Sequence, residues 1–167
     1  MSQQLGIGFY KKALINPYRY IHSYINIPDT SDRDSLFQAE ARRCKDILDI
    51  LLMSSNLERH FCIFDEIYSG TNPTEAIASA YSFLKYISNF SNMDFLLTTH
   101  YISLCNLLDN CKNISNKQMN VNDNNYTYKL IDGISNIKGG IKVLDELLYP
   151  EEILISAKDI ISKGVSP

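Results

Sequence analysis

The chain has 167 residues, an apolar fraction of 45% and a net charge of −3 at pH 7, which is enough length and apolar content for one domain with its own core. A chain that wraps DNA needs clustered Lys and Arg, and this acidic balance argues against that class. No apolar run approaches a membrane span and the first residues lack the pattern of a signal peptide. The sequence therefore predicts no membrane partner and an intracellular protein of the cytoplasm, the nucleus or a viral factory.

The first predicted elements are a strand and a long helix. Aromatic and β-branched residues over 18–27 predict the strand. The helix is predicted over 35–54 because apolar residues recur at steps of four and three, and Ser35 followed by Gln38 predicts a capping box at its start. The predicted apolar stripe of this helix is Phe37, Ala41, Cys44, Leu48 and Leu51.

Two short apolar runs, at 61–64 and 95–97, predict strands buried on both faces, as in parallel α/β sheets. Between them, Asn72 as the cap and Pro73 at the first position predict a second helix. A short helix is predicted over 101–108, and the alternation of strands and helices predicts one α/β layer structure with parallel pairing. The apolar stripe of the second helix is Ile77, Ala80, Tyr81, Leu84 and Ile87.

The polar, Asn-rich region 113–125 is interpreted as a hairpin or loop that leads into an alternating strand over 126–131. A Gly-Gly pair at 139–140 precedes a short helix that is predicted to end near Tyr149, and the last helix is predicted over 150–162. The sequence shows no internal repeat and no linker that would separate two domains.

The four cysteines have spacings that match no CxxC metal site. Cys62 falls in a predicted apolar strand and Cys44 on the apolar face of a predicted helix. Both are therefore predicted to be reduced and buried.

Asp65 and Glu66 follow the first buried strand and stand at its carboxyl end, the edge where ligands bind in open α/β sheets. An Asp there can hold Mg²⁺, usually through water, and the next carboxylate can polarise the water that attacks a γ-phosphate. Many strands run into an acidic turn, so the pair alone is a weak signal. His100 ends the next strand and is predicted to stand beside the pair, although a lone His is more often a structural hydrogen-bonding group.

Two further segments leave alternatives open. The residues from Ser69 to Asn72 are interpreted as a loop that reaches a partner subunit or as a turn with a helix cap, and both can hold at once. Ser35 offers a hydroxyl at a helix N-terminus, where free N–H groups attract an anion. The alternative for Ser35 is a cap and nothing more.

Taken in order, the sequence from Ser35 (Ser-Leu-Phe-Gln-Ala-Glu), the segment FDEIYSGTNPTEA and the segment LLTTHY resemble the ATPase domain of MutS-family DNA mismatch-repair proteins, a member of the ABC-type P-loop ATPases. The family motifs read Ser-Thr-Phe-x-x-Glu, Asp-Glu-x-x-x-Gly-Thr and Thr-His-Tyr or Thr-His-Phe, and Leu36 replaces the Thr of the first. The resemblance covers nearly the whole chain. The matching positions are Ser35, Phe37, Glu40, Asp65, Glu66, Gly70, Thr71, Thr99, His100 and Tyr101.

The resemblance implies an ABC-type P-loop NTPase core, with a mostly parallel sheet flanked by helices. It implies a signature helix at 35–54, a Walker B motif and D-loop at 61–72, a switch histidine at His100 and C-terminal strands and helices over 113–163. It also implies ATP and Mg²⁺ as cofactors. The implied partners are a second MutS-type ATPase domain, identical or different, and mismatched double-stranded DNA held through upstream domains.

Residue by residue, the resemblance implies that Asp65 holds Mg²⁺, Glu66 activates water and His100 senses the γ-phosphate. Ser35 would reach the nucleotide of the opposite subunit, and the nucleotide-binding surface would also include Ser69, Gly70 and Thr71.

The sequence departs from the family because it contains no GxxxxGK[ST], and the GxG at Gly6 lacks the Lys that a phosphate cradle needs. We therefore expect a chain truncated at the N-terminus, starting after the P-loop helix, that alone binds ATP weakly and self-associates through uncovered apolar surface. Two functions remain: the C-terminal portion of an ATPase that drives mismatch recognition, or a non-catalytic dimerisation module that lends its signature helix to a partner ATPase. An ABC-type ATPase of the transporter or chromosome-maintenance kind is disfavoured, since those usually carry Ser-Gly-Gly-Gln where this chain has Ser35-Leu36-Phe37-Gln38.

Overall fold

The computed structural model describes residues 11–12, 14–25, 27, 35–122, 125–135 and 139–163, so the GxG segment at Gly6 lies outside the described part. The chain divides between Asn116 and Lys117 into two compact units. The first unit contains β1 (Tyr20–Tyr24), α1 (Leu36–Met53), β2 (His60–Asp65), α2 (Pro73–Ile87), β3 (Met93–Thr98) and α3 (Ile102–Leu108). The second contains β4 (Lys117–Asn122), β5 (Asn125–Asp132), α4 (Gly140–Glu146) and α5 (Glu151–Ser162).

The first unit is built on a parallel three-stranded sheet in the order β1-β2-β3. The predicted parallel pairing is confirmed here, with β2 in the centre. The observed β1 is shorter than the predicted strand over 18–27. Its pairing with β2 runs from Tyr20 opposite His60 to Tyr24 opposite Phe64, and β2 itself ends one residue later at Asp65.

Helix α1 begins with the predicted capping box. The Gln38 amide donates to Ser35 Oγ at 3.3 Å, and the Ser35 amide donates to Gln38 Oε1 at 2.9 Å, so two N–H groups that the first turn leaves unpaired are satisfied. The buried face differs slightly from the predicted stripe. It includes Glu40 and Ile47 together with the predicted Cys44 and Leu51, while Phe37, Ala41 and Leu48 are only partly buried.

Helix α2 also begins as predicted. Asn72 caps it by accepting the Glu75 amide at 3.0 Å, and Pro73 occupies the first helical position. The buried residues are Ala76, Ala80, Leu84 and Ile87, whereas the predicted Ile77 and Tyr81 are only partly buried.

The core of the first unit is centred on Phe64, which is fully buried on β2. Its ring packs edge-on against Phe83 of α2 and Phe95 of β3, with ring centres 5.7 and 6.1 Å away, and lies 5.8 Å from the ring of Tyr24 on β1. Side chains from four elements therefore meet at one residue of the central strand.

The two cysteines that were predicted to be buried lie in this core. Cys44 and Cys62 are free thiols that are 2% and 0% exposed, and burial raises the pKa of each to about 12. Both thiols are consequently protonated and poorly reactive at neutral pH.

The second unit differs from the single α/β layer that the sequence predicts. Its sheet is an antiparallel pair of β4 and β5, with Lys117 opposite Asp132 and an ion pair between these two side chains. Asn116 closes the first unit by donating to Cys105 O at 3.0 Å and Asp109 Oδ1 at 3.1 Å. The boundary therefore follows a hydrogen-bonded residue rather than a flexible linker.

Of the two interpretations of region 113–125, the hairpin is confirmed, because β4 lies within it and pairs with β5. The last two helices match the predicted ones, with α4 ending three residues before Tyr149. Within the described residues, no helix is both long enough and apolar enough to cross a membrane.

A pair of buried histidines joins β1, β2 and the end of α1. His22 Nε2 lies 3.0 Å from His60 Nδ1, and His60 Nε2 lies 2.7 Å from Ser54 Oγ. Ser54 in turn donates its hydroxyl to Leu51 O at 2.8 Å. Because this hydroxyl is committed to Leu51, His60 donates from Nε2 to Ser54 and accepts on Nδ1 from His22, which requires the His60 ring to be neutral.

This pair makes the stability of the fold sensitive to acid. Burial lowers the pKa of His22 to about 4, with the charges of His60 and Arg43 acting in the same direction. Burial also lowers the pKa of His60, against an opposing effect of Glu58. An unfolded histidine titrates near 6.5, so the unfolded chain takes up protons between pH 6.5 and 4 and the folded chain does not. The stabilisation is complete above pH 6.5 and is lost as the pH falls towards 4.

We expect the free energy of unfolding to fall by about 2 kcal/mol between pH 7 and pH 5, measured by urea unfolding. His22→Gln should remove most of this dependence. Asn56→Gln, at an exposed position without a titrating group, is the control and should leave the dependence unchanged. Equal stability at pH 7 and pH 5 would show that the buried pair accepts protons without cost.

Candidate functional site

The carboxyl ends of β2 and β3 bring Asp65 and Thr98 side by side, as register partners in the parallel sheet. Thr98 Oγ1 donates a hydrogen bond to Asp65 Oδ1. The backbone continues the contact, because the Glu66 amide donates to Thr98 O at 3.1 Å. One carboxylate oxygen of Asp65 is thus held, and the other remains for a ligand at an exposed position.

The chain turns sharply directly after Asp65. Glu66 and Tyr68 both have positive φ, +50° and +59°, which costs a residue with a side chain about 1–2 kcal/mol. Strained residues of this kind are found in clusters at functional sites, although Tyr128 and Leu148, outside this turn, also have positive φ. In this turn Glu66 Oε1 lies 3.3 Å from His100 Nδ1, and the two side chains are 53% and 59% exposed. The structure therefore places His100 beside the Asp-Glu pair, as the strand order predicts.

The loop after this turn is attached to α1 by a buried carboxylate. Glu40, only 2% exposed, accepts the Ser69 amide and the Ser69 hydroxyl on Oε1, each at 3.0 Å, and the Gly70 amide on Oε2 at 3.0 Å. The sequence marks Glu40 only as a match to the first family motif. The signal that could have indicated its burial is its position on the helix, one turn before Cys44 on the same apolar face.

Gly70 lies against the first turn of α1, and this contact explains why a glycine is needed. A Cβ at this position would stand 2.7 Å from Leu36 Cγ and 2.7 Å from the backbone nitrogen of Phe37. The helix backbone cannot move aside without losing the capping box. Thr71 then donates its hydroxyl to Glu75 Oε2 at 2.8 Å, next to the Asn72 cap. The turn-and-cap interpretation of this loop is confirmed, and its contact with a partner stays a prediction.

Ser35 is the N-cap of α1 and is exposed. Its oxygen accepts a hydrogen bond in the capping box, which leaves the hydroxyl hydrogen able to donate to an anion. The cap is therefore shown, and a role in binding nucleotide stays a prediction. Because Gly70 contacts Leu36 and Phe37, Ser35 and the loop belong to one continuous part of the surface.

A small cleft of about 170 Å³ lies between the end of β1, the start of α1 and the turn after β2. A nucleotide-sized site usually occupies about 300 Å³ or more, so this cleft accommodates a hydrated ion or water rather than a whole nucleotide. Its lining, all of it from described residues, includes three carboxylates and no Lys or Arg. The residues are Tyr24, Ile27, Leu36, Glu40, Asp65, Glu66 and Ser69.

The donors of this cleft fit Mg²⁺ better than they fit phosphate. Mg²⁺ typically keeps several waters and takes one or two carboxylates, together with the phosphates of its substrate. Asp65 meets that need. Across the described ranges, no cluster of three or more His, Cys, Asp or Glu side chains is arranged to hold a metal by itself. Among the described residues, this cleft therefore offers carboxylates and no basic side chain.

A larger cavity of about 400 Å³ lies in the second unit, between α4 and α5. None of the residues predicted to act in the site lines it. Its walls are formed by Asp145, Leu148, Tyr149, Glu151, Leu154, Ile155 and Lys158.

Comparison with known proteins supports the motif resemblance. The family model described as MutS domain V matches residues 6–163. The DNA mismatch repair protein MutS of Orientia tsutsugamushi (strain Ikeda) is 30% identical over 115 residues, which cover 66% of this chain and 13% of that protein.

Two further relatives show a similar extent. The DNA mismatch repair protein MutS of Prochlorococcus marinus (strain AS9601) is 28% identical over 81% of the chain and 15% of its own length. The Endonuclease MutS2 of Agathobacter rectalis is 28% identical over 80% of the chain and 17% of its own length. The chain thus spans less than a fifth of the curated relatives it matches. With the model matching nearly all of its residues and the acidic turn placed at the end of a parallel strand, the chain belongs to the MutS family, in the region described as domain V.

Proposed function

We propose that this chain forms the metal-binding and water-activating part of a P-loop ATPase core of the MutS type. The observation that carries the proposal is the group at the carboxyl edge of the sheet, where Thr98 holds Asp65 and His100 lies 3.3 Å from Glu66. In this assignment Asp65 holds Mg²⁺, Glu66 takes a proton from the attacking water and His100 detects the γ-phosphate.

The chemistry of these side chains is suited to hydrolysis. Mg²⁺, when bound, neutralises the charge that develops on the transferred phosphoryl group. The hydrogen bond from Thr98 restricts the rotation of the Asp65 carboxylate and uses one of its oxygens, Oδ1. His100 holds Glu66 by one oxygen and leaves the other to accept a proton from water. The turn at Glu66, with its positive φ, keeps this carboxylate at the exposed edge.

The phosphate-binding half of the core has to come from another segment or chain, because the sequence contains no GxxxxGK[ST]. An open strand edge supports such an arrangement. Within the described part of the chain, β3 pairs with β2 on one side only, and Leu96 in its middle is 62% exposed. A strand that carries a phosphate-binding loop would pair with β3 and cover Leu96.

We further propose that the whole protein couples ATP hydrolysis to the recognition of mismatched double-stranded DNA, as a dimer of two MutS-type ATPase domains. Two of the relatives described above are named DNA mismatch repair proteins, which supports the process. The surface formed by Ser35, Ser69, Gly70 and Thr71 supports the dimer, because the contact of Gly70 with α1 presents all four residues together.

The second candidate is a non-catalytic module that lends α1 to a partner ATPase. The start of α1 has its capping box, and Glu40 holds the loop after β2 against it, so this surface is formed by the chain itself. This favours the second function, which needs no phosphate-binding loop in the same chain. The two candidates differ in whether Glu66 ever acts on water.

The test compares the chain alone with the chain joined to a segment that carries a phosphate-binding loop. The chain alone is expected to bind ATP with no micromolar affinity and to show no hydrolysis. Joined to the segment that precedes the matching region in the Orientia tsutsugamushi relative, it is expected to hydrolyse ATP with a requirement for Mg²⁺. Isothermal titration and a phosphate-release assay measure both. The matched control replaces the phosphate-loop Lys of the added segment by Ala, which should abolish activity.

Micromolar ATP binding by the chain alone would contradict the assignment. Tight ATP binding by the joined protein without hydrolysis would contradict catalysis. If the unjoined chain also stimulated the ATPase of a complete relative, the lending function would replace the first proposal.

A further inference from the structure

We propose that Glu40 is a positioning residue that locks the loop Ser69–Thr71 to the start of α1, so that a ligand contact at Ser35 is transmitted to Glu66. Its effect on catalysis rests on the proposed function. Its mechanical part rests only on the contacts of the described residues.

The first argument is the burial of the Glu40 carboxylate and the hydrogen bonds that it accepts. It is 2% exposed and both of its oxygens accept hydrogen bonds from one short loop: two from Ser69 and one from the Gly70 amide, all at 3.0 Å. Bonds to a charged acceptor are about twice as strong as neutral ones. A buried carboxylate that lost these donors would carry a large desolvation cost. The loop and the helix are therefore difficult to separate at this point.

The second argument is that the same loop is held by independent contacts on both sides of Ser69. Gly70 lies against Leu36 and Phe37 so closely that no Cβ would fit. The Tyr68 amide donates to the Tyr24 hydroxyl at 3.2 Å, and the Tyr68 ring lies 5.6 Å from that of Phe37. Burial raises the pKa of the Tyr24 hydroxyl, so it stays protonated. The loop has little room to move relative to α1.

The third argument is the position of Glu40 between two site residues. Along α1 it lies just over one turn from Ser35, the N-cap. Through Ser69 it is connected to Glu66, with only Ile67 and Tyr68 between them, and both of these are buried. A displacement of the start of α1 therefore moves the loop and changes the position of the Glu66 carboxylate. A ligand that contacts Ser35 would regulate the site through this connection.

The test uses Glu40→Gln in the whole 167-residue chain. Gln has the same shape, but its NH₂ group cannot accept, so at least one of the loop donors loses its acceptor. By ¹⁵N-resolved hydrogen exchange, we expect the Ser69 or Gly70 amide to exchange at least about tenfold faster than in the unsubstituted chain. Asp46→Asn is the matched control, because Asp46 is an exposed carboxylate of the same helix.

A second measurement keeps the test decisive should Glu40→Gln fail to fold. In the unsubstituted chain the Gly70 amide, although in a loop, should exchange about tenfold or more slowly than amides of exposed loop residues such as Asn56. Equal exchange would overturn the anchoring. Unchanged exchange at both Ser69 and Gly70 in a folded Glu40→Gln variant would also overturn it.

The catalytic consequence is tested in the joined ATPase. Per folded molecule, Glu40→Gln should lower kcat about tenfold or more and leave the KM for ATP within about twofold. Faster exchange with unchanged kcat would reduce Glu40 to a structural residue and overturn the positioning role. If the unsubstituted joined protein hydrolyses no ATP, the proposed function fails and the catalytic consequence fails with it. The exchange data still decide the anchoring, so the two failures are distinguishable.

Discussion

In the joined ATPase, Glu66→Gln is expected to lower kcat by about 100- to 10,000-fold, the usual contribution of a general base. The substitution keeps the size of the side chain and its ability to hydrogen-bond His100, which lies 3.3 Å from the Glu66 carboxylate. It removes the ability to take a proton from water. Because Asp65 and its partner Thr98 are unaltered, binding of ATP with Mg²⁺ should change only a few-fold.

Single-turnover hydrolysis with ATP binding measured in parallel separates the two effects. Glu152→Gln, at an exposed position in the first turn of α5, is the control and should retain full activity. His100→Ala and Ser35→Ala complete the series, and Ser35→Ala should act only when the protein is dimeric. Full activity of Glu66→Gln would remove Glu66 from the mechanism.

Phe64→Ala is expected to lower the free energy of unfolding by about 3–5 kcal/mol. Phe64 is 0% exposed and meets aromatic rings from α2, β1 and β3, so its loss leaves a cavity that no single neighbour can fill. The expected loss is a large part of the stability of a domain this size.

Urea unfolding at pH 7 measures this loss. Leu96→Ala on the neighbouring strand is the matched control, because Leu96 is 62% exposed and should change stability by about 0.5 kcal/mol or less. Similar losses for the two variants would mean that Leu96 is covered, for instance by a second copy of the chain. That result would support the self-association that the sequence predicts.

Much of the fold could be predicted because its signals are local. The capping box at Ser35 and the Asn72-Pro73 helix start are both present as predicted. The apolar runs that contain Phe64 and Leu97 form neighbouring parallel strands. Two parallel strand ends must share one edge, so the proximity of His100 to Glu66 also followed from the order of elements. The chemical roles of these side chains remain predictions, since geometry alone does not show a reaction.

The features that the sequence did not indicate depend on contacts between distant positions. Glu40 lies on an apolar helix face, and its donors are about thirty residues away, so nothing near it in the chain marks it as paired. His22 and His60 face each other only because β1 and β2 pair in one particular register. The sequence predicts the hairpin of β4 and β5 only as one of two alternatives, because an Asn-rich segment has low strand propensity. In the structure, pairing with β5 outweighs this low propensity.

The parallel sheet has a kinetic consequence for the site. Each pairing joins residues more than thirty positions apart, such as Tyr20 with His60 and His60 with Met93. Such non-local pairs form slowly, because the chain must close long loops before any contact is gained. On the ribosome, Asp65 acquires its Thr98 neighbour only after β3 has left the exit tunnel. The acidic edge is therefore among the last parts of the first unit to form, and in an incompletely folded chain the Asp65 carboxylate is not held by Thr98.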